Sequence, residues 1–336
     1  MNPIDNHPSD EPSAIGNSPL RIGVLSNLRA GQRDSKVDKI LRFLHEHPDV
    51  FHLETPDGDA VKPALREMAC VGIDILVLNG GDGTVQHALT HLFSNPANNW
   101  LPWIAPISGG RTNTISRDFG ARNDPVRGLA ELITANREGR LAERVCNRPV
   151  LRVEIAEGVH YGFLLGFGAF NNGVRLVHQI FPEGKARGTF GAGIVTGMLM
   201  LRAAVQRNSG GMLAPDRIQW NLDGQEIAAH DWILGMVSTL RRLILGIRPF
   251  WGHEAAPLQV TLLEKSLKRV ARAGIGILRG RPGPHVLPEN GFHGHNVREM
   301  TARLDAGFVL DGELFEPIPD RVVRVTAAEG IRFLRA

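Results

Sequence analysis

The run Ile73-Asp74-Ile75-Leu76-Val77-Leu78-Asn79-Gly80-Gly81-Asp82-Gly83-Thr84 decides the fold of this chain. Its first half is apolar at almost every position, without alternation. That is the pattern of a parallel strand buried on both faces. Its second half places three glycines in four positions, Gly80 to Gly83. Val85, Ala88, Leu89, Leu92 and Phe93 then follow at the spacing of one helical face. Strand, glycine turn and helix make the repeating unit of an open α/β sheet.

The same unit recurs on both sides. Upstream, Arg21 to Ser26 reads as a strand and Asn27 to Gly31 as a turn, with Val37, Ile40, Leu41 and Leu44 on a helical face. Val50 to Leu53 and Val61 to Cys70 form the next strand and helix. Downstream, Trp103 to Pro106 is a fourth strand, followed by a Ser108-Gly109-Gly110 turn and more helix. Four alternations predict a Rossmann-like parallel sheet with helices on both faces. Beyond Val150 the pattern becomes antiparallel in type, at Leu151 to Ile155, Arg217 to Trp220 and Leu258 to Leu262. Phe190 to Val205 looks helical and apolar. The expected organisation is a disordered polar tail at 1–19, an α/β domain at 20–146 and a β-rich domain at 147–336. The last strand, about 320–336, is open to returning to the first domain.

Three turns carry candidate chemistry. In Asn79 to Thr84, glycines let successive backbone N–H groups converge without Cβ interference, and the next helix points its positive end at the same place. This suits phosphate. Asp82 would repel phosphate unless a cation lies between them, and a Mg²⁺ carried by a nucleotide supplies that bridge. The plainer reading is a strand-to-helix turn with a capping aspartate. Pro106-Ile107-Ser108-Gly109-Gly110-Arg111-Thr112-Asn113 is a second glycine turn at the same sheet edge, where open α/β sheets bind ligands. It reads equally as a left-handed turn with Asn113 as a local cap. Leu310-Asp311-Gly312-Glu313, far along the chain, reads on its own as a hairpin turn. The alternative is a general base with a partner carboxylate.

Taken in this order, Gly80-Gly81-Asp82-Gly83-Thr84, the proline-led turn ending in Asn113, and Asp311-Gly312-Glu313 resemble the motifs of the diacylglycerol kinase-type lipid kinases. Bacterial diacylglycerol kinases, sphingosine kinases and ceramide kinases belong to that family, and the resemblance spans about 20–336. The first motif alone is shared with NAD kinases. The resemblance implies an α/β nucleotide domain followed by an antiparallel β-sandwich, with ATP and a lipid meeting in the cleft. It implies that Asn27, Arg29 and Gly31 sit near ATP and that Thr55 lines the nucleotide. It implies that Asn79, Gly80, Gly81, Asp82, Gly83, Thr84, Gly109, Gly110, Arg111, Thr112 and Asn113 hold ATP. Asp82 would act through Mg²⁺, and Asp311 and Glu313 match the acidic pair that supplies the catalytic base. Three positions depart from the family pattern: Leu28 for proline, Arg111 for threonine and Thr114 for an acid. The stretch Trp251-Gly252-His253-Glu254 lacks the later aspartate of the family's structural Mg²⁺ site.

Composition narrows the rest. With 43% hydrophobic and 22% charged residues the chain is globular. Glycine, at 38 of 336 residues, exceeds the usual share of about 7%. A net charge of +3 is too weak to argue for nucleic acid but compatible with an anionic ligand or membrane surface. Two cysteines, Cys70 and Cys146, have no metal spacing and suit a reducing compartment. The amino terminus lacks a signal-peptide pattern and no apolar run is long enough to span a bilayer. The expectation is a cytoplasmic protein that visits the membrane surface. Arg241, Arg242 and Arg248, interleaved with apolar residues, and Lys265, Lys268, Arg269 and Arg272 read as a basic membrane-facing surface or a solvated face. Ile194, Met198, Leu199 and Leu201 read as core or as an acyl-chain pocket. His285, His293 and His295 read as a mobile loop with no third metal ligand placed.

The expected function is an ATP- and Mg²⁺-dependent lipid kinase acting on a hydroxyl of diacylglycerol or a ceramide-like lipid. The alternatives are an NAD kinase-like enzyme and a lipid-binding protein with a degenerate kinase site. No pattern sets the oligomeric state.

Overall fold

The computed structural model describes residues 19–27, 35–94, 98–110, 113–180, 214–243, 247–267, 276–277, 281–328 and 330–336. The expected tail before residue 19, the helix at 190–205, and Lys268, Arg269 and Arg272 lie outside these residues.

The first sheet is built from β1 (Ile22–Asn27), β2 (Phe51–Thr55), β3 (Ile75–Gly80) and β4 (Trp103–Ser108), all parallel. Between them run α1 (Ser35–His45), α2 (Val61–Val71) and α3 (Asp82–Phe93). After β4 come α4 (Thr114–Asp118), α5 (Pro125–Arg137) and β5 (Val145–Cys146). β3 explains the lack of alternation in its sequence. Leu76 and Leu78 join the core formed with Val61, Leu65, Met68, Val85 and Leu89 of α2 and α3. Ile75 and Val77 join Ile40, Leu44, Leu129 and Leu132 of α1 and α5 on the other face. Successive side chains point to opposite faces, and both faces are covered by helices.

The strand order is β2-β1-β3-β4. β1 leads outward to β2, and the chain then crosses back to β3 on the other side of β1. The carboxyl ends of β1 and β3 therefore flank a topological switch point, where ligands bind in such sheets.

The second sheet begins with β6 (Val150–Ile155), β7 (Gly158–Gly162), β8 (Leu164–Gly168) and, after α6 (Ala169–Ile180), β9 (Asp216–Leu222), β10 (Gln225–Ser238), β11 (Leu258–Glu264) and β12 (Phe292–Val297). It continues with β13 (Glu299–Leu304), β14 (Phe308–Leu310), β15 (Glu313–Phe315) and β16 (Arg321–Ala328). Every pairing is antiparallel. The long β10 links two layers: its first half pairs with β9, its second half with β8 and β11. Trp220, Phe167, Val260, Met300, Phe308 and Val325, from both layers, fill the space between them.

The stretch Val322 to Val325, whose partner the sequence leaves open, lies in β16 between β13 and β6. The chain then returns as β17 (Phe333–Leu334), which pairs with β4 and β5 and closes the first sheet. So 321–328 stays in the second sheet, and the return to the first is made by the last few residues. His293 and His295 are not on a loop but in β12, where they bond to Glu264 (2.8 Å) and Glu254 (3.3 Å). Among the described residues no group of His, Cys, Asp or Glu is arranged to hold a metal ion. No helix among them is long and apolar enough to cross a membrane.

Phe333 is fully buried and lies against Phe119 and Phe163, one from each domain. Phe333→Ala is expected to destabilise the protein by about 3–5 kcal/mol, the usual cost of emptying a buried aromatic site. Urea unfolding measures this, and a loss below about 1 kcal/mol would contradict the packing described.

Candidate active site

The site starts from the carboxyl ends of β1, β2 and β3. Ser26, Asn79 and Thr55 are buried there. The Asn79 amide donates to Ser26 Oγ at 2.9 Å, Ser26 Oγ meets His52 Nε2 at 3.0 Å, and Thr55 Oγ1 donates to the Ser26 carbonyl at 3.4 Å. Burial holds the His52 imidazole below its usual pKa. Asn27, at the end of β1, donates to Thr84 Oγ1 at 3.1 Å across the switch point. Asn27, Thr55 and Asn79 through Thr84 are thus brought together. Arg29, Gly31, Arg111 and Thr112 lie outside the described residues.

The glycines of the two turns divide into two kinds. A Cβ on Gly80 would meet Thr84 Oγ1 at 2.5 Å, and one on Gly110 would meet Gly81 Cα at 2.5 Å. A Cβ on Gly109 would overlap Asn79 Oδ1. Gly109 and Gly110 let the turn after β4 pack against the turn after β3, and Gly80 makes room for the Thr84 side chain of its own turn. Gly83 is different. It is exposed, and a Cβ there would meet nothing within 4 Å. Protein packing gives no reason for a glycine at that place in the first turn of α3, whereas close approach of a ligand does.

Asp82 caps the next helix along the chain. Its carboxylate accepts N–H bonds from Thr114 at 3.3 Å and Ile115 at 3.0 Å, the first residues of α4. Asn113 stands at the left-handed φ of 51° and folds its side chain back on the turn. It accepts from Gly110 N and donates to Gly110 O, each at 2.7 Å. With the Asn113 side chain turned away, Asp82 supplies the cap.

Asp311 and Gly312 form the two-residue turn between β14 and β15, with φ of 47° and 94°. Two positive values make this the turn type that Asp-Gly favours in hairpins. The turn also buries a carboxylate. The Asp311 side chain, 4% exposed, accepts N–H bonds from Phe163 and Leu164, both at 2.9 Å. Burial pushes its carboxyl well above the ordinary range. The two N–H donors oppose this, and repulsion from Asp82 and Glu313 adds to it. Glu313 is exposed and accepts from Gln86 Nε2 of α3 at 3.1 Å. His160 of β7 lies on the Phe315 ring and is held below its usual pKa by burial, against an upward pull from Glu313.

The three motifs, some 230 residues apart at their extremes, are therefore brought together where the two domains meet. Ser26, His52 and Gln86 were not legible as site residues. Gln86 carried one signal. It falls four residues after Asp82 and four before Thr90, a polar stripe on one helical face. Such a stripe ordinarily faces solvent. Here Thr90 Oγ1 accepts from Tyr161 N of β7 at 3.0 Å, so the stripe faces the second domain.

Residues 21–142 match the family model of the diacylglycerol kinase catalytic domain. No curated protein matches the chain. Among solved structures, a candidate diacylglycerol kinase of Bacillus anthracis str. Sterne superposes with a TM-score of 0.68 at 19% identity, covering 98% of this chain and 99% of the other. A diacylglycerol kinase of the same organism gives 0.61 at 18% identity, covering 95% and 97%. At this identity the likeness establishes a shared two-domain fold.

The Asp311 carboxyl sets a stability test. Its pKa is raised on folding, so its contribution is complete below the unfolded value of about 3.9. That contribution is lost as pH rises through the higher folded value. Asp311→Asn removes the titration. From about pH 4 upward, the unfolding free energy of the wild type is expected to fall relative to that of the variant, then level off. A constant difference between the two across about pH 4 to 8 would contradict the assignment.

Proposed function

We propose that this chain, which carries a diacylglycerol kinase catalytic domain, transfers the γ-phosphate of ATP to the hydroxyl of a lipid. One observation carries the reading. The helix that begins at Asp82 is bonded to the Asp311 hairpin, Gln86 Nε2 donating to Glu313 at 3.1 Å, and the Asp82 and Asp311 charges oppose each other there. Placing phosphate between two such carboxylates makes sense when the site transfers phosphate with a cation present.

Each residue has a role in this reading. The Gly80-to-Thr84 turn and the start of α3 present backbone N–H groups and the positive end of a helix to the phosphates. The open space at Gly83, beside the acidic Asp82, fits a phosphate accompanied by Mg²⁺. When bound, the metal neutralises phosphate charge next to Asp82. Asn27, Thr55 and Asn79 order the floor of the site, and Gly109, Gly110 and Asn113 pack the second turn against the first. Asp311 takes the acceptor's hydroxyl proton as that oxygen bonds to the γ-phosphorus and ADP leaves. A raised carboxyl pKa suits a base that works near neutral pH. Glu313 stands beside it. Exposed Arg241, Arg242 and Arg248 support an anionic membrane surface as the source of the lipid. Diacylglycerol or a ceramide-like lipid is the acceptor class that this reading favours.

The test is transfer from γ-labelled ATP to diacylglycerol, ceramide, sphingoid base and NAD, presented in parallel. Labelled lipid is expected, and Asp311→Asn is expected to lower turnover about 10²–10⁴-fold, the usual contribution of a general base, while Mg-ATP still binds in calorimetry. Labelled NAD with no labelled lipid would overturn the acceptor. Failure to bind Mg-ATP would overturn the kinase. A second pair of variants separates ligand from packing. Gly83→Ala is expected to keep or raise the Tm, since alanine is better in a helix by about 1 kcal/mol, yet to weaken ATP binding. Gly109→Ala is expected to lower the Tm by crowding Asn79. Equal behaviour of the two would contradict the division.

A further inference from the structure

Asp82, Gln86 and Thr90 lie at four-residue intervals on α3, and each meets the second domain. Asp82 opposes Asp311, Gln86 donates to Glu313, and Thr90 bonds both ways with Tyr161 through its Oγ1. Tyr161 also donates from its hydroxyl to the Phe93 carbonyl, at 3.0 Å. The helix that starts at the glycine turn therefore lies along β7, and the carboxylate hairpin is joined to it through Gln86. The three contacts differ in kind. Thr90 grips backbone that has its own strand partners. Asp82 and Asp311 push apart. Gln86 is the contact that pulls the hairpin toward the helix, and it does so from a position only 2% exposed.

An amide suits that task. It donates a hydrogen bond to a carboxylate and adds no charge to a cleft that already holds Asp82, Asp311 and Glu313. A carboxylate at the same place would repel Glu313. A leucine would fill the space but leave the Glu313 oxygen without its donor. Hydrogen bonds to charged groups are among the stronger ones.

We propose that Gln86 is a positioning residue: its amide draws Glu313, and with it the Asp311-Gly312 turn, onto α3 and so sets the distance between the two halves of the active site. This rests on the phosphoryl-transfer reading above. Gln86 itself touches neither nucleotide nor lipid in that reading. Its effect passes through Glu313 and the turn. Losing it should slow the transfer step and leave ATP binding at the first domain unchanged.

The experiment uses the full chain with Gln86→Leu and Gln86→Glu. The first readout, amide hydrogen exchange, does not depend on activity. Exchange across 308–315 and at Phe163 and Leu164 is expected to speed up about tenfold or more in Gln86→Leu, the change that a hydrogen bond to a charged group supports. Exchange in β3 should stay unchanged. Hairpin exchange equal to wild type would overturn the proposal, whatever the activity. In Gln86→Glu the added carboxylate faces Glu313, with Asp82 on the same helix, Asp311 in the turn and His160 of β7 nearby. Its hairpin protection is expected to approach wild type near pH 5 and to be lost near pH 8, as the added carboxyl ionises. Protection that ignores pH would contradict the role. The second readout is kinetic. In Gln86→Leu, kcat is expected to fall about tenfold or more with the KM for ATP within about twofold. A raised KM with unchanged kcat would overturn the proposal. A wild type that phosphorylates none of the acceptors would overturn the kinase reading, and the exchange data would still decide the role of Gln86.

Discussion

Asp82 ties the first domain's half of the site together. Its carboxylate accepts the first two N–H groups of α4, at 3.3 and 3.0 Å, from its own place at the start of α3. Two helix N-termini are thereby held side by side at the carboxyl edge of the sheet. The turns leading into them can approach this closely because Gly109 and Gly110 carry no Cβ. Without that approach, Asn79 could not stand against Gly109, and the polar floor formed with Ser26 and Thr55 would be displaced. The same acid faces the second domain and repels Asp311. It therefore sets both the internal order of one domain and the electrostatic character of the cleft.

The glycine surplus reads differently once the turns are seen in space. Backbone approaching a ligand is the natural inference from glycine-rich turns after parallel strands. Much of that space is taken by the protein's own atoms, Thr84 beside Gly80, Asn79 beside Gly109 and Gly81 beside Gly110. Gly83, unlike Gly80, Gly109 and Gly110, stands in open space, which concentrates the ligand argument on that position. The Asp311-Gly312 turn makes a related point. It is a hairpin turn by its two positive φ angles, and it is also the place where a buried carboxylate meets two backbone donors from β8 and the residue before it. A tight hairpin turn and a buried, hydrogen-bonded carboxylate coincide in the same four residues.

Much of the fold was legible in the sequence because burial on both faces leaves a distinct mark. Ile75 to Leu78 has no polar face, so β3 had to be a covered parallel strand. The antiparallel half was legible as a class from alternation in segments such as Leu151 to Ile155. Its pairing was not, since alternation says which face is buried but not which strand lies alongside. The partners of β16 and the short β17 are set by long-range closure of the two sheets. Of the site, the three turns were visible because glycine and aspartate in tight turns carry a local signal. Gln86, Ser26 and His52 were hidden. Their polar side chains sit among ordinary helix and strand patterns, and only tertiary placement makes them part of a cleft. His293 and His295 show the reverse error, since glycine and proline nearby suggested a loop where pairing with β11 makes a strand.

The central claim is that the glycine turn of α3 and the Asp311 hairpin form one site for a nucleotide triphosphate and its acceptor. A crystal structure with Mg²⁺ and a non-hydrolysable ATP analogue tests it most directly. The account predicts that the triphosphate lies over Gly81 to Gly83, with the cation between it and Asp82 and the terminal phosphate facing Asp311. A triphosphate bound elsewhere, such as in the outer groove between Gln219, Asn221, Glu254 and Arg298 of the second sheet, with the Gly83 surface bare, would contradict it.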